Sequence, residues 1–105
     1  MELLPYINWR DWYICSSKGK VYKNDSEVDS GYLNGKIDAS NGNWFILSQS
    51  GKVYKNGEQI AEKYEQARDI AVKGDDWYIF AFSGKIYKND QPLYSGYKSG
   101  KLSIG

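Results

Sequence analysis

The sequence predicts an all-β protein of three tandem antiparallel meander units, and three observations lead there. Strand-like segments headed by tryptophan recur as Trp12-Tyr13-Ile14, Trp44-Phe45-Ile46 and Trp77-Tyr78-Ile79, with the tryptophans 32 and 33 residues apart. Each is followed by one shared run: Gly19-Lys20-Val21-Tyr22-Lys23-Asn24, Gly51-Lys52-Val53-Tyr54-Lys55-Asn56 and Gly84-Lys85-Ile86-Tyr87-Lys88-Asn89. A tyrosine then recurs at the same two spacings (Tyr32, Tyr64, Tyr97), with Gly35-Lys36, Ala67-Arg68 and Gly100-Lys101 just beyond it. Self-similarity at a fixed period marks a repeat architecture. The 105 residues are read as one domain of three units, at about residues 3–35, 36–68 and 69–104.

Within a unit the elements follow in order. The Trp-Tyr/Phe-Ile segments are aromatic and β-branched, which suits a pleated surface. In the third copy, residues 77–82 are apolar at consecutive positions, the pattern of a strand covered on both faces. Ser50-Gly51 and Ser83-Gly84 signal the turn into the next strand. The Gly-Lys-Val-Tyr-Lys strand ends at Asn24-Asp25, Asn56-Gly57 or Asn89-Asp90, dipeptides that tolerate positive φ and favour a tight hairpin. A short strand centred on Val28, Ile60 and Leu93 follows. A further strand is expected near residues 36–39, 69–72 and 101–104, with residues 3–7 as its N-terminal counterpart. Residues 61–68 have helical composition. Their counterparts at 29–36 and 94–101 contain Gly and Ser, so all three are read as loops.

The string Asp69-Ile70-Ala71-Val72-Lys73-Gly74-Asp75-Asp76-Trp77-Tyr78-Ile79, with Ser83-Gly84-Lys85-Ile86-Tyr87-Lys88-Asn89, resembles the blades of β-propeller repeat proteins. In those blades an inner strand ends at a Gly/Asp turn and a second strand hairpins into a third. Propellers close with roughly 4–8 blades. The resemblance therefore implies completion by self-association, as an even-numbered homo-oligomer. The alternative is a self-contained β-prism or β-trefoil. Small mannose-binding lectins of the prism kind have a similar length and period, but their glutamine-aspartate-asparagine-valine-tyrosine sugar motif is absent here.

Composition narrows the function. There is no His, which removes the commonest general base near neutral pH and the commonest metal ligand. A net charge of +1 offers no field for long nucleic acid or an anionic membrane. No apolar run approaches 18 residues, so no membrane-spanning helix is expected. The first residues lack the pattern of a secretion signal, which favours the cytoplasm. The single cysteine, Cys15, fills a slot taken by Leu47 and Phe80 in the other units and reads as an unreactive core thiol. No metal spacing, phosphate-cradling loop or fixed carboxylate pair is present, so no catalytic residue, metal or cofactor is assigned.

Trp12, Trp44 and Trp77 are expected to anchor the core. The recurring asparagines are explained by their turns, and the strand lysines by stems that cover apolar surface. The candidate ligand-binding set is Tyr32, Lys36, Tyr64, Arg68, Tyr97 and Lys101, which fall in the least regular stretch of each unit, together with Trp9, which lies outside the repeat register. A tyrosine with a cation four residues on suits a polar ring. The function expected is a non-enzymatic binding protein with repeated sites for a small polar ligand, foremost a glycan, since weak repeated sites gain by multivalency. The alternatives are sequestration of a small anion such as a nucleotide where subunits meet, and a purely structural or protein-contact module.

Overall fold

The computed structural model describes residues 11–104. The described chain has eleven strands and no helix: β1 (Tyr13–Cys15), β2 (Val21–Lys23), β3 (Ser26–Asp29), β4 (Lys36–Ser40), β5 (Asn43–Leu47), β6 (Lys52–Lys55), β7 (Glu58–Glu62), β8 (Asp69–Lys73), β9 (Asp76–Phe80), β10 (Ile86–Lys88) and β11 (Gln91–Tyr94). They form three antiparallel sheets in sequence order, β1-β2-β3, β4-β5-β6-β7 and β8-β9-β10-β11.

Local chemistry sets each hairpin. The turns at Asn24-Asp25, Asn56-Gly57 and Asn89-Asp90 have positive φ at both residues, as a two-residue turn matched to strand twist requires. In each, the asparagine Oδ1 accepts the backbone N–H of the unit's tryptophan, at 3.0 Å for Trp12, 2.9 Å for Trp44 and 3.0 Å for Trp77. The same side chain donates from Nδ2 to Asp11, Asn43 or Asp76, each at 2.9 Å. The residues before the tryptophans, Asp11, Asn43 and Asp76, therefore hold turns. One residue beyond Val21, Val53 and Ile86 the register shifts against the next strand, a bulge at one place in all three sheets. Lys23, Lys55 and Lys88 stand 5.9, 5.8 and 5.9 Å from the ring centroids of Tyr13, Phe45 and Tyr78, the residues paired with them across the strands. Their ammonium groups are thus within cation–π reach of these rings.

The core lies between sheets. Side chains alternate along a strand, so β5 sends Trp44 and Ile46 to the first sheet and Phe45 and Leu47 to the third. The first junction buries Val21, Tyr32, Trp44 and Ile46, with Tyr13, Cys15 and Tyr54 packed around them. The second buries Phe45, Leu47, Val53, Tyr64, Ile70, Val72, Trp77 and Ile79, with Tyr87 alongside. Strands β4 and β8 lie against each other. They are cross-linked by Val72 N–H to Asp38 Oδ2 (2.8 Å) and Gly74 N–H to Ser40 Oγ (2.9 Å).

Three expectations change. Trp12 is exposed, unlike Trp44 and Trp77. Each buried tryptophan is covered by a tyrosine from the preceding sheet's loop, and among the described residues no sheet precedes β1. Residues 101–104 form no strand. Strands β4 and β8 pair with the strand that follows each, and among the described residues no strand pairs with 101–104. The tail is instead tethered by Leu102 N–H to Asp69 Oδ2 at 2.9 Å. Finally, β7 runs to Glu62, two residues into the stretch read as loop. The strand expected at 3–7, like Trp9, lies outside the described residues.

Candidate functional site

The loops that leave β3, β7 and β11 carry the sequence's candidate residues, and glycines fix how those loops lie. Tyr32, Tyr64 and Tyr97 donate their backbone N–H to Gly19, Gly51 and Gly84 carbonyls at 3.0, 3.0 and 3.1 Å. At Gly51, with φ of 94°, a Cβ would collide with the Glu65 amide nitrogen and stand 2.7 Å from the Tyr64 carbonyl carbon. Only a residue without a side chain lets the loop approach so closely.

This docking turns Tyr32 and Tyr64 inward. Tyr32 meets Trp44 and Tyr54 edge-on, with centroids 6.1 and 5.1 Å apart, and its hydroxyl donates to Asp29 at 2.8 Å. Tyr64 meets Trp77 and Tyr87 edge-on at 6.4 and 5.2 Å, and its hydroxyl donates to Asp90. Burial first, and then the carboxylate partner, pushes both phenols well above the usual tyrosine range. The acceptor comes from opposite sides of the two junctions. Asp29 ends β3 on the tyrosine's own sheet, and a side chain at Gly57 would stand 2.9 Å from its Oδ2. At the second junction Ala61 stands where Asp29 does in the first sheet, each paired with the buried valine of its middle strand, and Asp90 supplies the carboxylate from the facing turn. Each junction thus holds one carboxylate for one hydroxyl. Tyr32 and Tyr64 are buried and pack the two junctions.

The remaining candidates lie at the loop ends. Lys36 is exposed at the start of β4 and lines a groove of about 270 Å³ with Asn34, Leu47, Ser48, Gln49, Gln66 and Ala67. Asn34 Nδ2 donates to Gln49 Oε1 at 3.4 Å across it. Arg68 is half-buried, its guanidinium 5.1 Å from the Phe82 ring centroid and 5.9 Å from that of Phe80. Arg68 Nη2 also donates to the Phe82 carbonyl at 3.5 Å. The groove that holds Lys36 includes neither Arg68 nor Lys101, and Lys101 and Tyr97 are exposed near the tail.

Gln49 and Phe82, which occupy equivalent positions in the second and third units, were not singled out by sequence. The sequence marks Ser50-Gly51 as a turn beside Gln49 and runs Phe82 into an apolar strand covered on both faces, whereas β9 ends at Phe80 and Phe82 is exposed. Phe82 presents an exposed aromatic ring backed by a cation.

Cys15 is half-buried, with Sγ 3.7 Å from the Tyr32 carbonyl oxygen, and burial pushes its thiol up. A raised thiol is less nucleophilic at neutral pH. Among the described residues no group of three or more His, Cys, Asp or Glu could hold a metal ion. Nor is any helix long and apolar enough to cross a membrane. No protein-family model, curated protein or solved structure gave a significant match to the chain.

Proposed function

We propose that the chain is a non-enzymatic binding protein, a row of blade-like repeat units completed by self-association, that takes a small polar ligand of the glycan class at its loop ends. The observation that carries the ligand reading is the groove where the loop into β4, the end of β5 and the loop that leaves β7 meet. Asn34, Lys36, Ser48, Gln49 and Gln66, from three chain segments, line it, which supplies amide, hydroxyl and ammonium side chains to one place. Amides can donate and accept at once, as the hydroxyl pattern of a sugar requires. Arg68, the residue after Ala67 of that lining, stacks on Phe82, whose exposed aromatic face can take a sugar ring. The blade-like reading is supported by the bulge, the asparagine clamp and the glycine-docked loop, each found at matching positions in all three sheets.

The test is a titration of the isotopically labelled chain with a panel of neutral and acidic oligosaccharides, read by amide chemical shifts. Shifts confined to residues 34–36, 48–49, 66–68 and 82, and abolished by Gln49→Ala, support the reading. An unperturbed spectrum across the panel refutes it. Binding of a nucleotide that weakens steeply with added salt would transfer the site to the anion-sequestering alternative.

A further inference from the structure

The two internal junctions share one arrangement, and the chain carries one more half of each kind. The Tyr97 backbone is pinned to Gly84 as Tyr32 and Tyr64 are pinned to Gly19 and Gly51. Yet its ring is 52% exposed, against 7% for Tyr32 and 2% for Tyr64. On the first sheet, Trp12 and Ile14 are 47% and 50% exposed, whereas Trp44 and Trp77 are each at 8% and Ile46 and Ile79 at 0%. Tyr22 holds the strand position of Tyr54 and Tyr87, the two tyrosines that receive Tyr32 and Tyr64. One end thus offers the inserting ring, and the other offers the surface that receives such a ring.

The carboxylate pattern agrees. Tyr94 stands where Asp29 and Ala61 stand in the other sheets, opposite Ile86, so the sheet of Tyr97 has no acid there to accept its hydroxyl hydrogen. The acceptor has to come from the facing turn, as Asp90 does for Tyr64. In the first sheet that turn position is Asp25, with φ of 75° against 72° for Asp90, and it is exposed.

We propose that Tyr97 of one copy inserts against Trp12, Tyr22 and Asp25 of a second copy, making between chains the same junction that Tyr64 makes within one. The occupant is another copy of this chain because both end faces continue the internal stack with the same residue types in the same places. The contact is head-to-tail, so it propagates or closes into a ring. Two chains bring six sheets, within the roughly 4–8 at which propeller-like rings close, and closure of the pair uses both end faces of each chain. This inference rests on the blade-like part of the reading above and is independent of the ligand.

The test uses the full chain and its mass by native mass spectrometry and sedimentation, with circular dichroism as the check on folding. Wild type is expected as a dimer or larger ring. Tyr97→Ser and Trp12→Asp, both at exposed positions outside the internal cores, are each expected to dissociate it while leaving the β spectrum intact. Tyr97→Phe, which removes only the hydroxyl, is expected to raise the dissociation constant about tenfold for each of the two contacts, about a hundredfold for the closed pair. Mixing the Trp12→Asp and Tyr97→Ser proteins leaves one sound contact per pair, so a mixed dimer should form although neither variant associates alone. A monomeric wild type at high concentration, or a Tyr97→Ser protein that keeps its mass, overturns the proposal. A monomer that still binds oligosaccharide in the groove would sink this contact and leave the ligand reading standing.

Discussion

Replacing Asn56 by alanine tests how a local turn supports a buried tryptophan. Asn56 has φ of 52°, accepts the part-buried Trp44 N–H at 2.9 Å and donates to Asn43 at 2.9 Å. Alanine in the left-handed region costs about 1–2 kcal/mol. Leaving the Trp44 N–H without its acceptor costs about 1–3 kcal/mol more. The exposed Nδ2 contact adds little, so the total is about 2–5 kcal/mol. Glycine removes the backbone penalty but not the lost acceptor, and should fall between wild type and alanine. Aspartate keeps both the acceptor and the tolerance of positive φ, and should cost under about 1 kcal/mol. The equivalent Asn24→Ala should cost less than Asn56→Ala, because the Trp12 N–H it would free is exposed and water can replace the bond. Urea unfolding followed by tryptophan fluorescence gives all four values. An Asn56→Ala protein within about 0.5 kcal/mol of wild type, or a glycine variant as weak as alanine, refutes the reasoning.

Two further outcomes follow from the loop docking. Gly51→Ala should destabilise by about 3 kcal/mol or more, since the strained φ is compounded by collision with Glu65 and Tyr64. Gly74→Ala, with nothing within 4 Å of its added Cβ, should cost only about 1–2 kcal/mol; equal losses in thermal melts would contradict the close-approach account. The raised phenols of Tyr32 and Tyr64 link stability to alkaline pH. A folded-state value above the unfolded one gives stability that is complete below about pH 10 and is lost as pH rises beyond it. Each tyrosine steepens the loss by about 1.4 kcal/mol per pH unit. Tyr64→Phe should therefore flatten the pH dependence of urea midpoints by one such increment, and an unchanged slope would count against its burial as a neutral donor.

What could be read from the sequence was local. The tryptophan strands and the Asn-Asp and Asn-Gly hairpins follow from β-branching, aromatic content and tolerance of positive φ, all contained within a few residues. Burial is not local. Trp12 has the sequence surroundings of Trp44 and Trp77, and only the sheet standing before each decides which of them is covered. Tyr32 and Tyr64 were flagged by their recurrence, but their inward direction depends on loops seated against Gly19 and Gly51, a contact between distant segments. The exchange of Asp29 opposite Gly57 for Ala61 opposite Asp90 is visible in the letters only once the faces that meet are known. Residues 101–104 have a strand's apolar pattern, but a strand also needs a ladder partner. Gln49 lies beside a turn signal, and Phe82 continues the apolar run of residues 77–82, which a covered strand explains equally well.

The central claim is that a loop tyrosine locked edge-on to the next sheet's tryptophan holds adjacent sheets together. A double-mutant cycle on Tyr64→Leu and Trp77→Leu, measured by chemical unfolding, tests it most directly, because the rings stand 6.4 Å apart at 89°. The account predicts that the two losses are not additive, with a coupling of about 0.5–1.5 kcal/mol. Losses that sum to the double variant within about 0.3 kcal/mol would contradict it.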